Sequence, residues 1–287
     1  MQIRLYIPLN LIMVICVLMT ISPNMNAQHQ TVGHYAKVNE LNMYYEIHGS
    51  GQPLVLLHGG GSTIQSTFGR ILPELSKTHK VIAIELQAHG RTKDVDQSLS
   101  FEQDADDVAG LLNQLQVKKA DIFGFSNGGT TTIQIAIRHP RLVNRIILAS
   151  TLFQRSGMQT GFFEGMKQAK LEQMPAPLKE AYLLVNQDEE GLIKMFNRDV
   201  ARMIAFKDIP ASAIKEIQAP ALVINGDAEV VLADHALLLS KTLSNARLAI
   251  LPSAHGDYIG EICAQDKNSQ QIAFVVALIN HFLATGN

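Results

Sequence analysis

This chain contains little cysteine and carries almost no net charge. Two cysteines occur among 287 residues, and the formal net charge is −2. No run of basic or acidic side chains is present, so the sequence lacks the electrostatic footprint of a nucleic-acid-binding protein. Repeats and low-complexity tracts are also absent after residue 27. What is present, 47% hydrophobic and 17% charged residues, suits a globular protein with a large core.

The first 27 residues differ in composition from the rest. Arg4 carries the one charged side chain, residues 5–21 are almost wholly apolar, and a small and polar stretch leads to Ala27. This order is typical of a secretory signal peptide, so we expect cleavage after Ala27 and an exported, periplasmic or extracellular protein. A retained membrane anchor is the alternative. However, 17 apolar positions interrupted by Pro8 and Asn10 fall short of the ~20 that span a bilayer comfortably.

Cleavage of this segment would also change the cysteine count. It would remove Cys16 and leave Cys263, so the exported chain would form no internal disulfide. In an oxidising compartment its stability would then depend on the core.

After the N-terminal segment, short β-branched runs alternate with helical patterns. This alternation predicts a mostly parallel sheet covered by helices on both faces. One helix pattern begins at Ser100, which Gln103 follows as in a capping box. The predicted strands lie in "LNMYYEIHG", "PLVLLHGGG", "KVIAIELQAHG", "ADIFGF", "RIILAST", "ALVINGD" and "RLAILPSAHG".

The alternation breaks over residues 152–219, where helical pieces are separated by glycine and proline. We interpret this segment as a helical cap, with the core formed by residues 28–151 and 220–287. Flexible methionine and flat phenylalanine are frequent in the cap and suit an adaptable apolar pocket. Packing of the cap onto the core is the alternative for each of them. The pocket candidates are Phe153, Met158 and Phe162.

A serine lies between glycines in "FGFSNGG", where a predicted strand ends and a helix begins. This context makes Ser126 a candidate nucleophile, because Gly124 and Gly128 lack Cβ atoms and permit a sharp turn. The helix N-terminus adds a positive dipole, and the Asn127 N–H is a candidate donor to a developing oxyanion.

A serine hydroxyl needs a general base and a carboxylate that orients the base. Asp227 and His255 each follow a predicted strand directly, and the carboxyl ends of parallel strands meet at one edge of a sheet. Glu229 lies two residues further from its strand end and Asp234 lies inside a predicted helix, so both are weaker candidates for the acid. Among the other histidines, His89, His139 and His281 are weaker candidates for the base.

The glycines of "HGGG" follow another strand and leave the backbone open to a substrate. We expect the Gly60 N–H to be the second oxyanion donor, with Gly61 as the neighbouring alternative. His58 is interpreted as a residue that fixes the loop. Taken alone, the "HGGG" motif could equally be a flexible turn.

Together the motifs "LLHGGG", "FGFSNGG", "RHPRLVNRIILAS", "PALVINGD" and "LPSAHG" resemble the α/β-hydrolase superfamily over essentially the whole chain after residue 27. The resemblance implies the α/β-hydrolase fold, with the cap inserted after the sixth core strand. It implies Ser126 as nucleophile, Asp227 as acid and His255 as base, with an oxyanion hole formed by the Gly60 and Asn127 amides. It implies no metal and no organic cofactor.

The function expected from this resemblance is hydrolysis of a small or medium carboxylic ester or lactone through an acyl-enzyme. The expected partner is that small molecule, with no nucleic acid and no stable membrane insertion. Hydrolysis of a C–C bond, an amide or a peptide, or perhydrolysis, would use the same triad. A catalytically silent fold that binds a ligand or a protein is a further alternative.

Overall fold

The computed structural model describes residues 33–266 and 269–285, together with Gln2. The predicted signal peptide otherwise lies outside the described residues, so its cleavage stays a prediction. No helix in the described ranges is long and apolar enough to cross a membrane.

Eight strands of the described residues form one sheet in the order β1-β2-β4-β3-β5-β6-β7-β8. The β1–β2 and β2–β4 pairs are antiparallel, and all other neighbours are parallel. The predicted sheet is therefore confirmed, and it gains one strand at its edge. The strands are β1 (Gly33–Val38), β2 (Leu41–His48), β3 (Pro53–Leu57), β4 (Lys80–Ile84), β5 (Ala120–Phe125), β6 (Val143–Ala149), β7 (Ala221–Gly226) and β8 (Ala246–Leu251).

The edge strand β1 has little of the pattern that marks the others. Its sequence, "GHYAKV", alternates weakly and its side chains are mostly exposed or half-buried. By contrast, every residue of β5 and β7 is buried. A strand with one exposed edge needs few apolar residues, which explains why hydrophobic pattern alone does not predict β1.

Helices cover both faces of the sheet. Along β3, Val55 and Leu57 belong to one buried apolar cluster with residues of the helices at 101–114, 127–138 and 233–242, whereas Leu54 and Leu56 belong to a second cluster with residues of the helices at 64–68, 72–75 and 271–284. At its N-terminus α3 is capped by Ser100, whose hydroxyl accepts a hydrogen bond from the Gln103 N–H. The helices are α1 (Ile64–Phe68), α2 (Leu72–Leu75), α3 (Phe101–Gln114), α4 (Asn127–Arg138), α5 (Phe162–Met166), α6 (Ala176–Asn186), α7 (Glu189–Ala205), α8 (Ala211–Lys215), α9 (Ala233–Thr242) and α10 (Gln271–Ala284).

The segment predicted as a cap runs from β6 to β7 and carries α5 to α8. It contains no strand; one 3-10 turn precedes α5 and another lies between α5 and α6. It contacts the core through an isolated antiparallel bridge between Met158 and Val231. The segment thus lies over the loop that follows β7, where the predicted acid residues are found. Its status as a separate domain stays a prediction.

Candidate active site

Ser126 occupies a sharp turn between β5 and α4. Its φ of 54° and ψ of −119° lie outside the usual regions for an L-residue, and its N–H donates to Ala149 O at 2.8 Å. Such backbone strain persists only where the surroundings impose it, and it is concentrated at functional sites.

The two glycines of the motif make this turn possible. A Cβ atom at Gly124 would lie 2.1 Å from Gly128 O, and one at Gly128 would lie 2.1 Å from Leu57 O. Both distances are far below van der Waals contact, so neither position accepts a side chain while the backbone keeps this path. The elbow predicted from the sequence is therefore present in the structure, with Ser126 at the N-cap of α4.

His255 lies in the same cavity as Ser126 and is paired with a carboxylate. Its Nδ1 is 2.6 Å from Glu229 Oε2. A carboxylate accepts, so Nδ1 carries the proton and Nε2 is left with the lone pair that a general base needs. The imidazole also packs against Phe125, with ring centroids 4.8 Å apart.

The partner of His255 corrects the sequence prediction, which favoured Asp227. Asp227 still follows the line of β7, because its N–H donates to Leu251 O on β8. Its side chain is exposed and accepts from the Ser253 N–H at 3.0 Å. The chain then turns, and two residues later the Glu229 side chain points inward and is fully buried.

A set of buried donors fixes the Glu229 carboxylate. Oε1 accepts from the Gly226 N–H at 2.5 Å and from the Ser150 hydroxyl at 2.9 Å, which leaves Oε2 for His255. Ser150 Oγ is in turn 2.6 Å from the Tyr258 hydroxyl. Burial raises the pKa of Tyr258 well above its usual value, so the phenol stays protonated. Ser150 was not predicted as a site residue, and the one sequence feature that could have indicated it is its position directly after β6.

The "HGGG" loop lies beside the elbow. A Cβ atom at Gly59 would lie 3.5 Å from Ser126 Cβ, and one at Gly60 would lie 2.5 Å from Asn127 Nδ2. The Gly61 N–H donates to Asp199 Oδ2 at 2.6 Å, so this amide is already engaged. Of the two glycine donors considered, Gly60 is the one that Asp199 does not bind.

His58 fixes this loop, as expected. Its Nδ1 donates to Gly59 O at 2.8 Å, and its Nε2 accepts from the Leu86 N–H at 3.1 Å. Burial lowers the pKa of His58 to about 3, with the nearby His89 acting in the same direction. The imidazole is therefore neutral, and both ring nitrogens are used within the protein.

Asp199, from cap helix α7, was not predicted as a site residue. Besides the Gly61 amide it contacts His89 Nε2 at 3.0 Å and the Arg202 guanidinium. Arg202 also donates to Asp104 Oδ2 at 2.7 Å. No sequence pattern indicates this cluster, because His89 and Asp104 come from segments far from α7 and the members carry no shared motif.

The charges of this cluster support one another. Burial would raise the pKa of Asp199, but His89 and Arg202 outweigh it and hold that pKa well below its usual range. Burial would likewise lower the pKa of His89, but Asp199 outweighs it and raises that pKa. Burial raises the pKa of Asp104 to about 6, against the effect of Arg202. Asp199 is thus an anion stabilised by the Arg202 guanidinium and the His89 imidazole behind it.

The cavity above Ser126 has a volume of about 340 Å³. Two of the three predicted pocket residues, Met158 and Phe162, lie on its wall. The third, Phe153, does not: it is fully buried in the main core, where its ring stacks on His235 at 4.6 Å. The other apolar side chains of the wall include Met166, Met174, Met195, Phe196 and Met203. Within the described residues, no cluster of three or more His, Cys, Asp or Glu side chains could hold a metal ion.

Known proteins resemble this chain in sequence and in structure. The model of the alpha/beta hydrolase fold matches residues 52–173. A 2-hydroxymuconate semialdehyde hydrolase from Pseudomonas sp. is 34% identical over 103 residues, 35% of this chain and 36% of the relative. Human serine hydrolase BPHL is 26% identical over 229 residues, 75% of this chain and 77% of the relative. The first of these matches thus spans about a third of its relative's length.

Solved structures agree on the architecture. The 2-hydroxy-6-oxo-6-phenylhexa-2,4-dienoate hydrolase from Rhodococcus superposes with a TM-score of 0.72 at 20% identity, over 89% of this chain and 99% of the other. An identity this low speaks for the fold alone. The superposition, the matching family model and the eight-stranded sheet of the predicted topology lead to one conclusion. The chain has the α/β-hydrolase fold.

Proposed function

We propose that this protein is a serine hydrolase that cleaves a small or medium carboxylic ester or lactone through an acyl-enzyme. The observation that carries the proposal is the pairing of His255 Nδ1 with the buried Glu229 carboxylate at 2.6 Å, in the cavity that also contains Ser126. The nucleophile, base and acid of the proposal are therefore Ser126, His255 and Glu229. The oxyanion donors are the amides of Gly60 and Asn127, which both line the cavity.

In the first step, Ser126 Oγ attacks the acyl carbon while His255 Nε2 takes the hydroxyl proton. The carbonyl oxygen becomes an oxyanion and accepts hydrogen bonds from the Gly60 and Asn127 amides. The C–O bond to the alcohol breaks, and the alcohol leaves with the proton from His255. In the second step, water attacks the acyl-enzyme, His255 takes its proton, and the acid is released as Ser126 regains its hydrogen.

The cavity supports a substrate of limited size with an apolar portion. About 340 Å³ lies near the lower end of the range for small-molecule sites. Methionine side chains form much of the cap wall, and they adapt to irregular apolar shapes because they are unbranched and polarisable.

Hydrolysis of a C–C bond is the second candidate. It is favoured by the name of one relative, a 2-hydroxymuconate semialdehyde hydrolase, and by the name of a structurally similar dienoate hydrolase. The same serine, base and acid would serve this reaction, so the substrate has to be found by assay.

A fluorophosphonate probe tests the mechanism. We expect it to label the folded protein at Ser126 and to leave the Ser126→Ala variant unlabelled. Turnover of p-nitrophenyl esters and lactones would then be compared with turnover of a vinylogous diketone and an anilide. Absence of labelling in folded protein would contradict the serine mechanism, and turnover of the diketone alone would favour the second candidate.

We also propose that the protein is exported. The support is the signal-like composition of residues 1–27. N-terminal sequencing of protein produced in a secreting host should begin at Gln28. A start at Met1 would show instead that the segment is retained.

A further inference from the structure

Asp199 places a carboxylate beside the proposed oxyanion site. It lies on the cavity wall, and its Oδ2 would be 3.2 Å from a Cβ atom at Gly60. This oxygen also accepts from the Gly61 N–H. The carboxylate therefore lies close to the loop at which the carbonyl oxygen of a substrate would bind.

The two side chains that stabilise the Asp199 carboxylate, His89 and Arg202, are not on the cavity wall. The side chains of His89 and Arg202 are 0% and 3% exposed, and both contact Asp199 from within the protein. The Asp104 carboxylate lies further away, on the other side of Arg202. Asp199 is thus the member of the cluster that faces the cavity, and its charge is negative.

The other charged side chains on the cavity wall do not cancel this effect near Gly60. Lys170 lies on the wall but is exposed to solvent, where its charge is screened. His255 is paired with the Glu229 carboxylate. An anionic group of a substrate placed near Asp199 would therefore be repelled in a mostly apolar cavity, where charges interact more strongly than in water.

We propose that Asp199 determines the substrate class of this enzyme, by selecting acyl compounds without a negative charge near the scissile carbonyl. This inference rests on the proposed function and narrows it. It separates this chain from enzymes whose substrates carry a carboxylate, and it favours a neutral ester or lactone. Rejection by a like charge is a common source of specificity.

The test uses two substrates of equal chain length, the p-nitrophenyl monoester of glutaric acid and its methyl ester. The wild type should hydrolyse the neutral diester with a kcat/KM at least about tenfold higher, because the anionic ester faces Asp199. In Asp199→Asn, which keeps an acceptor for the Gly61 amide, this ratio should fall by about tenfold. Rates measured with Ser126→Ala are subtracted, which removes hydrolysis by the substrate's own carboxylate.

Asp234→Asn is the matched control. It removes the same charge from an exposed position on α9, so it should leave the ratio unchanged. Thermal unfolding and probe labelling establish that Asp199→Asn is folded with an intact elbow. A wild type that uses both esters equally would overturn the inference. So would a ratio that changes less than twofold in Asp199→Asn.

Measurements of ligand binding test this inference independently of the proposed function. Dimethyl glutarate and monomethyl glutarate are titrated into the Ser126→Ala protein, with and without Asp199→Asn. If the neutral ligand binds more tightly only when Asp199 is present, the selection is real even if wild type hydrolyses no ester. Equal binding of both ligands with Asp199 present would overturn the selection whatever the enzyme's turnover.

Discussion

Replacing Glu229 by glutamine should nearly abolish catalysis, whereas replacing Asp227 by asparagine should have little effect. The reason lies in the donors around Glu229. The Gly226 N–H and the Ser150 hydroxyl both donate to Oε1, so in Glu229→Gln they would hold the amide oxygen at that place. The NH₂ group would then face His255 Nδ1, which in the wild type donates to Glu229 Oε2.

This exchange would force the imidazole into the wrong tautomer. With an NH₂ donor at Nδ1, the ring proton moves to Nε2, where the base must accept from Ser126. The equivalent change in a serine protease triad lowers kcat about 10⁴-fold, roughly 5.5 kcal/mol of transition-state stabilisation. We expect a loss of about this size here. In Asp227→Asn the amide oxygen can still accept from the Ser253 N–H, so kcat should stay within about threefold.

The assay is steady-state hydrolysis of p-nitrophenyl butyrate at pH 8, with active sites titrated by the fluorophosphonate probe. Circular dichroism would establish that both variants are folded. The reasoning would be refuted if Asp227→Asn lost more than a hundredfold in kcat while Glu229→Gln stayed within tenfold of wild type. That result would return the acid role to the residue at the strand end.

Three further changes test the scaffold around the site. Gly128→Ala should prevent folding, since its Cβ would lie 2.1 Å from a backbone oxygen. Gly165→Ala is the control: its Cβ would have no atom within 4 Å, so thermal unfolding should show it to be neutral or slightly stabilising. Ser150→Ala should lower kcat about tenfold with little change in KM, because one donor to Glu229 is lost; an unchanged kcat would argue against a positioning role. His58, with a folded pKa of about 3, stays neutral while the unfolded chain takes up a proton below pH 6.5. Its contribution to the free energy of unfolding, up to about 5 kcal/mol, is therefore lost as pH falls from 6.5 towards 3. His58→Asn should flatten that part of the pH dependence of the free energy of unfolding measured in urea, and an unchanged slope would contradict the assignment.

Local sequence was sufficient for most of the fold and for the elbow. The strands β3 to β8 are runs of apolar residues that end in glycine or polar letters, and their order along the chain predicts a doubly covered sheet. Gly124 predicts the turn at Ser126 because the collision that it avoids is with Gly128 O, four residues further along the chain, whereas the collision that Gly128 avoids is with Leu57 O at the end of β3. Such constraints act within one or two elements, so they leave a pattern in the sequence.

The acid residue could not be chosen in this way. Asp227 and Glu229 are two positions apart, and both follow β7. Which of them faces His255 depends on the path of the chain after the strand, and on the donors that Gly226 and Ser150 supply. A carboxylate without those donors would not be buried, since an unpaired buried charge is costly.

Sequence by itself thus predicted the α/β-hydrolase fold, together with Ser126 and His255 as the nucleophile and base of the proposed reaction, because each prediction follows from a motif of adjacent residues. Only the tertiary structure decided that Glu229 pairs with His255, that Phe153 belongs to the core, and that Asp199 reaches the oxyanion loop. The last contact joins residues 138 positions apart, Gly61 and Asp199. A contact of that kind is made by packing of the cap on the core, for which no local pattern exists.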